Sequence, residues 1–294
     1  MNLMNNYFCG CYFKCQSKEK SIAIIPAFHR YCGKDSCSIQ VITDTDSYSV
    51  TFPASHFHKK KDGFVSQIGN NVFSTKGLNM NIHSKYLKLT GTVRFQQLRP
   101  LCSDIMGPFH YMPLLECRHQ VISMRHRVIG TLVVNGEPYV FQQGLGYIEG
   151  DRGTSFPTKY LWTQSFFPAG SIMLSVADVP IGLFKKCSFT GIICAIVWKG
   201  KEYRLATYLG ATIVKLTSDE IIIRQGRYEL SVKRFEKEMK HLSAPVKGKM
   251  MRTIGENLSC HVSYCLKKEG EILFAFETKN ASFEYEYSQE SQFK

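Results

Sequence analysis

Through most of this 294-residue chain, apolar and polar residues alternate with a period of two. Ser38–Thr43, Tyr48–Phe52, Lys85–Leu89, Glu202–Tyr208, Glu220–Ile223 and Tyr228–Val232 are stretches of this kind, rich in β-branched and aromatic residues. Alternation puts every second side chain on the same face of an extended chain, so these segments predict half-buried β-strands. Turn dipeptides separate them at short intervals: Asp62-Gly63, Gly69-Asn70, Asn135-Gly136, Lys199-Gly200 and Gln225-Gly226. Asn135-Gly136, between Ile129–Val134 and Pro138–Phe141, is the sharpest signal. A two-residue hairpin turn needs positive φ at both positions, which Asn and Gly tolerate best. The pattern predicts about 16 to 20 short strands. One segment, Arg234–Leu242, carries apolar residues at helical spacing (Phe235, Met239, Leu242) and predicts a short helix. Without strand–helix alternation, the doubly wound and (β/α)8 architectures are excluded. An all-β, antiparallel chain remains, too rich in strands for one small barrel. This predicts two antiparallel β-barrels or sandwiches in tandem, residues 1–154 and 155–294, with the join between Gly107 and Gly170.

Composition agrees with a globular chain. Hydrophobic residues make up 44% and charged residues 21%, which is enough apolar content for a core and too little charge for disorder. The longest unbroken apolar run, Ile192–Trp198, falls far short of the roughly 20 residues of a membrane-spanning helix. The first ten residues hold neither the basic region nor the apolar stretch of a secretory leader. With eleven cysteines, an odd number, this predicts free thiols and a reducing cytoplasm. Lys and Arg outnumber Asp and Glu by 37 to 24, a net charge of +13. Three local clusters, His56–Lys61, Arg125–Arg127 and Lys247–Lys249, predict solvated loops or a peripheral attraction to anionic membranes. No helix-turn-helix, zinc-finger or RNP pattern accompanies the charge, so nucleic acid is not expected as a partner.

Several motifs suggest chemistry and fail on inspection. Gly144-Leu145-Gly146 through Gly150 resembles a dinucleotide loop, but its spacing is off by one residue and it opens no helix. Cys260 and Cys265 have zinc-like spacing, yet an odd separation along a strand points them to opposite faces, so no metal is expected. Cys9, Cys11 and Cys15 share parity and would line one face of a strand as small hydrophobes.

The densest stretch is Gly146–Gln164. It places Glu149 and Asp151 two residues apart, followed by Arg152 and an aromatic strand in which Tyr160, Trp162 and Gln164 share a face. Two aromatic rings and an amide suit the wall of a cavity for an apolar ring with one polar head. Core packing of Trp162 and pairing of the carboxylates with Arg152 would account for the same residues. In Leu115–His126 a strand puts Cys117, His119, Val121 and Ser123 on one side and Glu116, Arg118 and Gln120 on the other.

These residues resemble the tocopherol cyclase-like family. The resemblance runs from Ser21–Pro26 through Ile105–Phe109, Glu116–His119 with Ser123–His126, the central Gly146–Pro157 and Tyr160–Gln164, to Tyr203–Tyr208 and Ala244–Met250. It departs from the family pattern at Leu115 and Arg118, where Met and an aromatic residue are expected. The resemblance implies two lipocalin-like barrels, akin to the carotenoid hydratase and AttH class. It also implies a prenylated quinol bound in an apolar cavity and cyclised to a chromanol.

Such a cyclisation protonates an olefin and lets the phenol oxygen attack, with no cofactor. A carboxylic acid kept neutral by burial can supply the proton, which makes Glu149 and Asp151 the first candidates. His119 or Gln164 would orient the phenol. Tyr160 and Trp162 would face the developing cation, and Glu116 and Tyr147 would complete the binding residues. The expectation is that Glu116–His126 and Tyr147–Gln164 wall an apolar chamber enclosing an ionisable group. A carrier of an apolar small molecule with no catalytic acid is the alternative, and a binder of anionic surfaces with an incidental cavity is a third reading.

Overall fold

The computed structural model describes residues 6–59, 65–112, 115–181, 187–236 and 240–287. These form 21 strands, three short 3-10 turns and no α-helix. Eleven strands build the first sheet: β1 (Tyr7–Gln16), β2 (Ser21–Tyr31), β3 (Lys34–Thr43), β4 (Ser47–Pro53), β5 (Phe57–Lys59), β6 (Val65–Ile68), β7 (Asn71–Ser74), β8 (Gly77–His83), β9 (Lys88–Gln96), β10 (Cys117–Val134) and β11 (Glu137–Gly153). Ten follow: β12 (Tyr160–Phe167), β13 (Gly170–Ile181), β14 (Cys187–Trp198), β15 (Lys201–Ala206), β16 (Thr212–Leu216), β17 (Glu220–Gln225), β18 (Tyr228–Arg234), β19 (Lys240–Val246), β20 (Lys249–Lys268) and β21 (Glu271–Tyr285).

Both sheets are antiparallel meanders that return on themselves. In the first, β1 pairs with β11, and the ladder is interrupted between β4 and β5, which the 3-10 turn Ala54–His56 joins. In the second, β12 pairs with β21, and the interruption lies between β15 and β16, joined through the 3-10 turn Thr207–Leu209. The same device therefore occurs twice: four strands, a 3-10 turn, the remaining strands, and a last strand that pairs with the first. Pairing first with last strand removes most of the open edge a meander otherwise exposes.

Two compact units result, and they are not two unbroken halves of the chain. The first comprises Met1–Pro100, Cys117–Phe156 and Leu242–Thr253, and the second Leu101–Glu116, Pro157–His241 and Ile254–Lys294. Each encloses its own core. Phe13, Ile24, Ile39, Phe73, Leu132, Phe141 and Ile148 belong to the first, and Leu161, Ile172, Leu174, Ile223, Val262 and Phe283 to the second.

Most turn expectations match. Asn135 and Gly136 have φ of 51° and 90°, as a primed hairpin turn needs, and Lys199-Gly200 has 50° and 79°. Asp62-Gly63 lies outside the described residues. Lys85 and Tyr86 sit in the turn before β9 rather than in it. The helix expected at Arg234–Leu242 is not formed: Arg234 ends β18, and Lys240 to Leu242 begin β19, with 237–239 outside the described residues. Arg234 explains the change. It pairs with Val262 across the β18–β20 ladder and, though buried, stacks its guanidinium over Phe283 at 4.9 Å. Ladder bonds and a buried cation–π contact outweigh the weak propensity of a short uncapped helix.

Candidate functional site

Tyr147, Glu149 and Asp151 follow one another at every second residue of β11 and so share a face. Ile148, between them, points the other way, into the first core. The neighbouring strands fix what stands beside them. On β10, His119 is opposite Asp151 and Val121 opposite Glu149. On β1, Gly10 is opposite Asp151, Tyr12 opposite Glu149 and Lys14 opposite Tyr147.

Proximity along and across the strands joins these residues in one cluster of hydrogen bonds and ion pairs. The Tyr147 hydroxyl donates to Glu149 Oε2 at 2.6 Å. His119 Nε2 lies 3.3 Å from the same oxygen as an ion pair, out of line for a well-formed hydrogen bond. His119 Nδ1 meets Asp151 Oδ1 at 3.0 Å, and the Cys117 thiol donates to that oxygen at 3.6 Å. Tyr147 and Glu149 are buried, and Asp151 keeps about a fifth of its side chain in contact with solvent (21%).

Electrostatics decide where the proton sits. Burial by itself would push His119 down, but the charges of Glu149 and then Asp151, with the hydrogen bonds they accept, hold it well above the ordinary histidine value. His119 is therefore an imidazolium clamped between two carboxylates. The Tyr147 phenol is pushed well above its usual range by burial and by the adjacent Glu149, so it remains a neutral donor. The donor atoms of His119, Glu149 and Asp151 lie within 4.8 Å of one another and form a set that could bind a divalent cation. A cation would have to displace the imidazolium proton, since a carboxylate already faces each ring nitrogen.

The sequence-predicted residues fall in both units. The ionisable groups do not project into the first barrel, whose interior Phe13, Phe73, Phe141, Ile148 and their neighbours fill. They are buried on the opposite face of the sheet. Alternation showed that Glu149 and Asp151 share a face but not which face meets the core. Glu116 precedes β10, is half-buried and belongs to the second unit. Tyr160, Trp162 and Gln164 also belong to the second unit, on the face of β12 away from its core residue Leu161. Tyr160 donates to Glu284 there at 2.5 Å. The basic cluster at 125–127 is less cationic than it reads: His126 is buried, packs against the Phe95 ring at 4.6 Å, and burial lowers it to about 3. Lys60 and Lys61 lie outside the described residues.

Sequence reasoning missed the Tyr147–Glu149 bond and the two-sided clamp on His119. The clamp depends on register across β10 and β11, and the bond on both side chains being buried on one face of β11. Local spacing does not encode that register.

Cys9, Cys11, Cys15, Cys32, Cys37, Cys102, Cys117, Cys194, Cys260 and Cys265 are free cysteines, and among the described residues no helix is long and apolar enough to cross a membrane. No protein-family model matches the sequence, and no curated protein matches it. Solved structures do. Kievitone hydratase from Nectria haematococca aligns with a TM-score of 0.57 over 97% of this chain and 90% of its own, at 10% identity. An AttH-type protein from Nitrosomonas europaea aligns with a TM-score of 0.54 over 96% and 93%, at 9% identity. CghA in complex with Sch210972 aligns with a TM-score of 0.60 over 96% and 88%, at 10% identity. At such identities the likeness fixes the architecture: this chain has the tandem lipocalin-like all-β fold of those proteins.

Proposed function

We propose that the protein is an acid–base enzyme that adds an O–H group across a carbon–carbon double bond of an apolar substrate. The reaction is a cyclisation when the oxygen belongs to the substrate and a hydration when it belongs to water. The observation that carries the reading is the imidazolium of His119 between Glu149 and Asp151. It puts a proton donor and a proton acceptor side by side, with a direct path between them. The name of one structural neighbour, a hydratase, fits the same elementary step.

The Nδ1 proton of His119 passes to one alkene carbon, the π bond breaks, and the other carbon accepts the oxygen. That oxygen's proton goes to the carboxylate of Asp151, the most accessible of the three groups. Asp151 returns it to Nδ1 across 3.0 Å, and the site is restored. Tyr147 acts as a positioning residue, holding Glu149 through its 2.6 Å bond. This replaces the neutral carboxylic acid expected from sequence with an imidazolium donor. An imidazolium held so firmly is a mild acid, so a double bond conjugated to an oxygen function suits it best. The prenylated quinol implied by the family resemblance is the finer reading and demands more acid strength.

The test incubates the protein with a prenylated hydroquinone and, separately, with a 2′-hydroxychalcone, and follows ring closure by mass spectrometry and NMR. Conversion of either should fall about 10²–10⁴-fold in His119→Asn and Asp151→Asn, the usual worth of general acid–base catalysis. Unchanged turnover in His119→Asn would end this mechanism. Binding of both compounds without conversion by the native protein would favour the carrier.

A further inference from the structure

Three side chains that meet at Asp151 are metal ligands by chemical type, and the strands place them on one face. Cys117 and His119 alternate along β10, and Asp151 stands opposite His119 on β11. Their separations suit one small cation. Cys117 Sγ lies 3.6 Å from Asp151 Oδ1, and His119 Nδ1 lies 3.0 Å from the same oxygen. Around a tetrahedral Zn²⁺ with ordinary bond lengths, a sulfur and an oxygen ligand are about 3.6 Å apart, and a nitrogen and an oxygen about 3.4 Å. The thiol is therefore already at ligand distance from the carboxylate, and the imidazole has only to open by a few tenths of an ångström.

The surroundings complete such a site. Glu149 lies 3.3 Å from His119 Nε2. A ring holding a metal at Nδ1 would turn its Nε2–H toward that carboxylate, the usual outer partner of a metal-bound histidine. Tyr147 fixes Glu149 in turn. Cys117 and Asp151 are only partly buried, which leaves a path for the ion and a fourth position for water. Charge balances as well. Without metal, one imidazolium and two carboxylates leave a single net negative charge. Zn²⁺ that enters as His119 and Cys117 each release a proton leaves the same net charge. A thiolate among the ligands selects Zn²⁺ over Mg²⁺ and Ca²⁺, which prefer oxygen alone.

We propose that Cys117, His119 and Asp151 bind Zn²⁺, with Glu149 as the outer partner of the histidine, and that the bound metal switches the site off. The metal takes the Nδ1 electron pair that holds the proton of the acid–base step, so the loaded protein has no donor there. The switching rests on the reading of His119 as the acid. The binding does not.

Binding is measured without substrate. Calorimetric titration of the reduced, metal-free native chain with Zn²⁺ should show one strong site per chain, with excess Mg²⁺ failing to compete. Co²⁺ should give the visible d–d bands of a tetrahedral ion and a near-ultraviolet thiolate-to-cobalt charge-transfer band, both removed by added Zn²⁺. Cys117→Ser should lose the charge-transfer band, and His119→Asn should weaken Zn²⁺ more than Glu149→Gln does. Glu149→Gln removes only the outer partner, so it should cost about 10–100-fold in affinity and keep the band. Other thiols, including the exposed Cys32 and Cys102, are the competing source of such a band. A band that persists in Cys117→Ser would overturn the proposal, as would the lack of a strong Zn²⁺ site in the native chain. Conversion of a prenylated hydroquinone or a 2′-hydroxychalcone should stop as Zn²⁺ fills the site and resume when a chelator removes it. Zn²⁺ held through Cys117 and His119 with turnover undiminished would overturn the switch and the acid role of His119, and leave the metal site standing.

Discussion

At the scale of single residues, the site depends on what is missing as much as on what is present. Gly146 is adjacent to Tyr147 and opposite His126 on β10. A Cβ at Gly146 would approach His126 Nε2 to 2.2 Å. The ring cannot yield easily, since it packs against Phe95 at 4.6 Å and is bonded through Nδ1 to the Ser123 hydroxyl at 3.1 Å. Gly146→Ala should therefore destabilise the protein by about 1–3 kcal/mol, the usual cost of overpacking. Urea unfolding of Gly146→Ala, His126→Ala and the double variant measures it. The double variant should lose less than the sum of the singles, because removing the ring removes the clash. Additive losses would place the strain elsewhere. The glycine spacing of this stretch mimics a nucleotide loop in sequence, and the structure gives Gly146 this packing reason instead. Pairs two residues apart, such as Glu149 with Asp151, were legible from alternation. The partner of each was not, because His119 and Asp151 are 32 residues apart and meet only through register.

At the scale of elements, the strands and tight turns were the most legible part of the chain. They are written in local chemistry, and Asn135-Gly136 shows why. Positive φ at both positions suits the right-handed twist of β10 and β11. The Asn135 side chain adds bonds of its own, accepting from Lys88 N at 2.8 Å and donating to the Tyr48 hydroxyl at 3.2 Å. Two contributions can thus be separated. Asn135→Ala loses both the backbone preference and the side-chain bonds and should cost about 1–2 kcal/mol. Asn135→Gly keeps the backbone freedom and should cost less. Equal losses in chemical denaturation would mean that the side-chain bonds do all the stabilising. Arg234–Leu242 was misread for the complementary reason. Its apolar spacing satisfied a helix, whereas its fate was set by Phe283 and Val262, which belong to strands that follow it in sequence.

At the scale of the whole molecule, the titration of buried histidines gives each unit its own response to pH. In the first unit His29 and His126 are buried and neutral, lowered by desolvation to about 4 and about 3 from an ordinary 6.5. As pH falls below 6.5, the unfolded chain takes up these protons before the folded chain does. Stability therefore declines from about pH 6.5 down to about 4 for His29 and about 3 for His126, each contributing on the order of a few kcal/mol. His119 acts in the opposite sense. Its folded value is raised, so its contribution is complete below 6.5 and is lost as pH climbs through that raised value. Among these three groups the first unit is most stable near pH 6.5. Among the described residues, the second unit has no buried histidine. Both tryptophans lie in that unit, so indole fluorescence follows it alone, while hydrogen exchange of β1–β11 peptides follows the first. Acidification to pH 4 should raise exchange in β1–β3 and β10–β11 well before tryptophan emission changes. His29→Asn should flatten the acid limb of the first unit, and His119→Asn the alkaline limb. If both units lose protection together at every pH, the barrels unfold as one cooperative body, and the local histidine account of acid sensitivity is wrong.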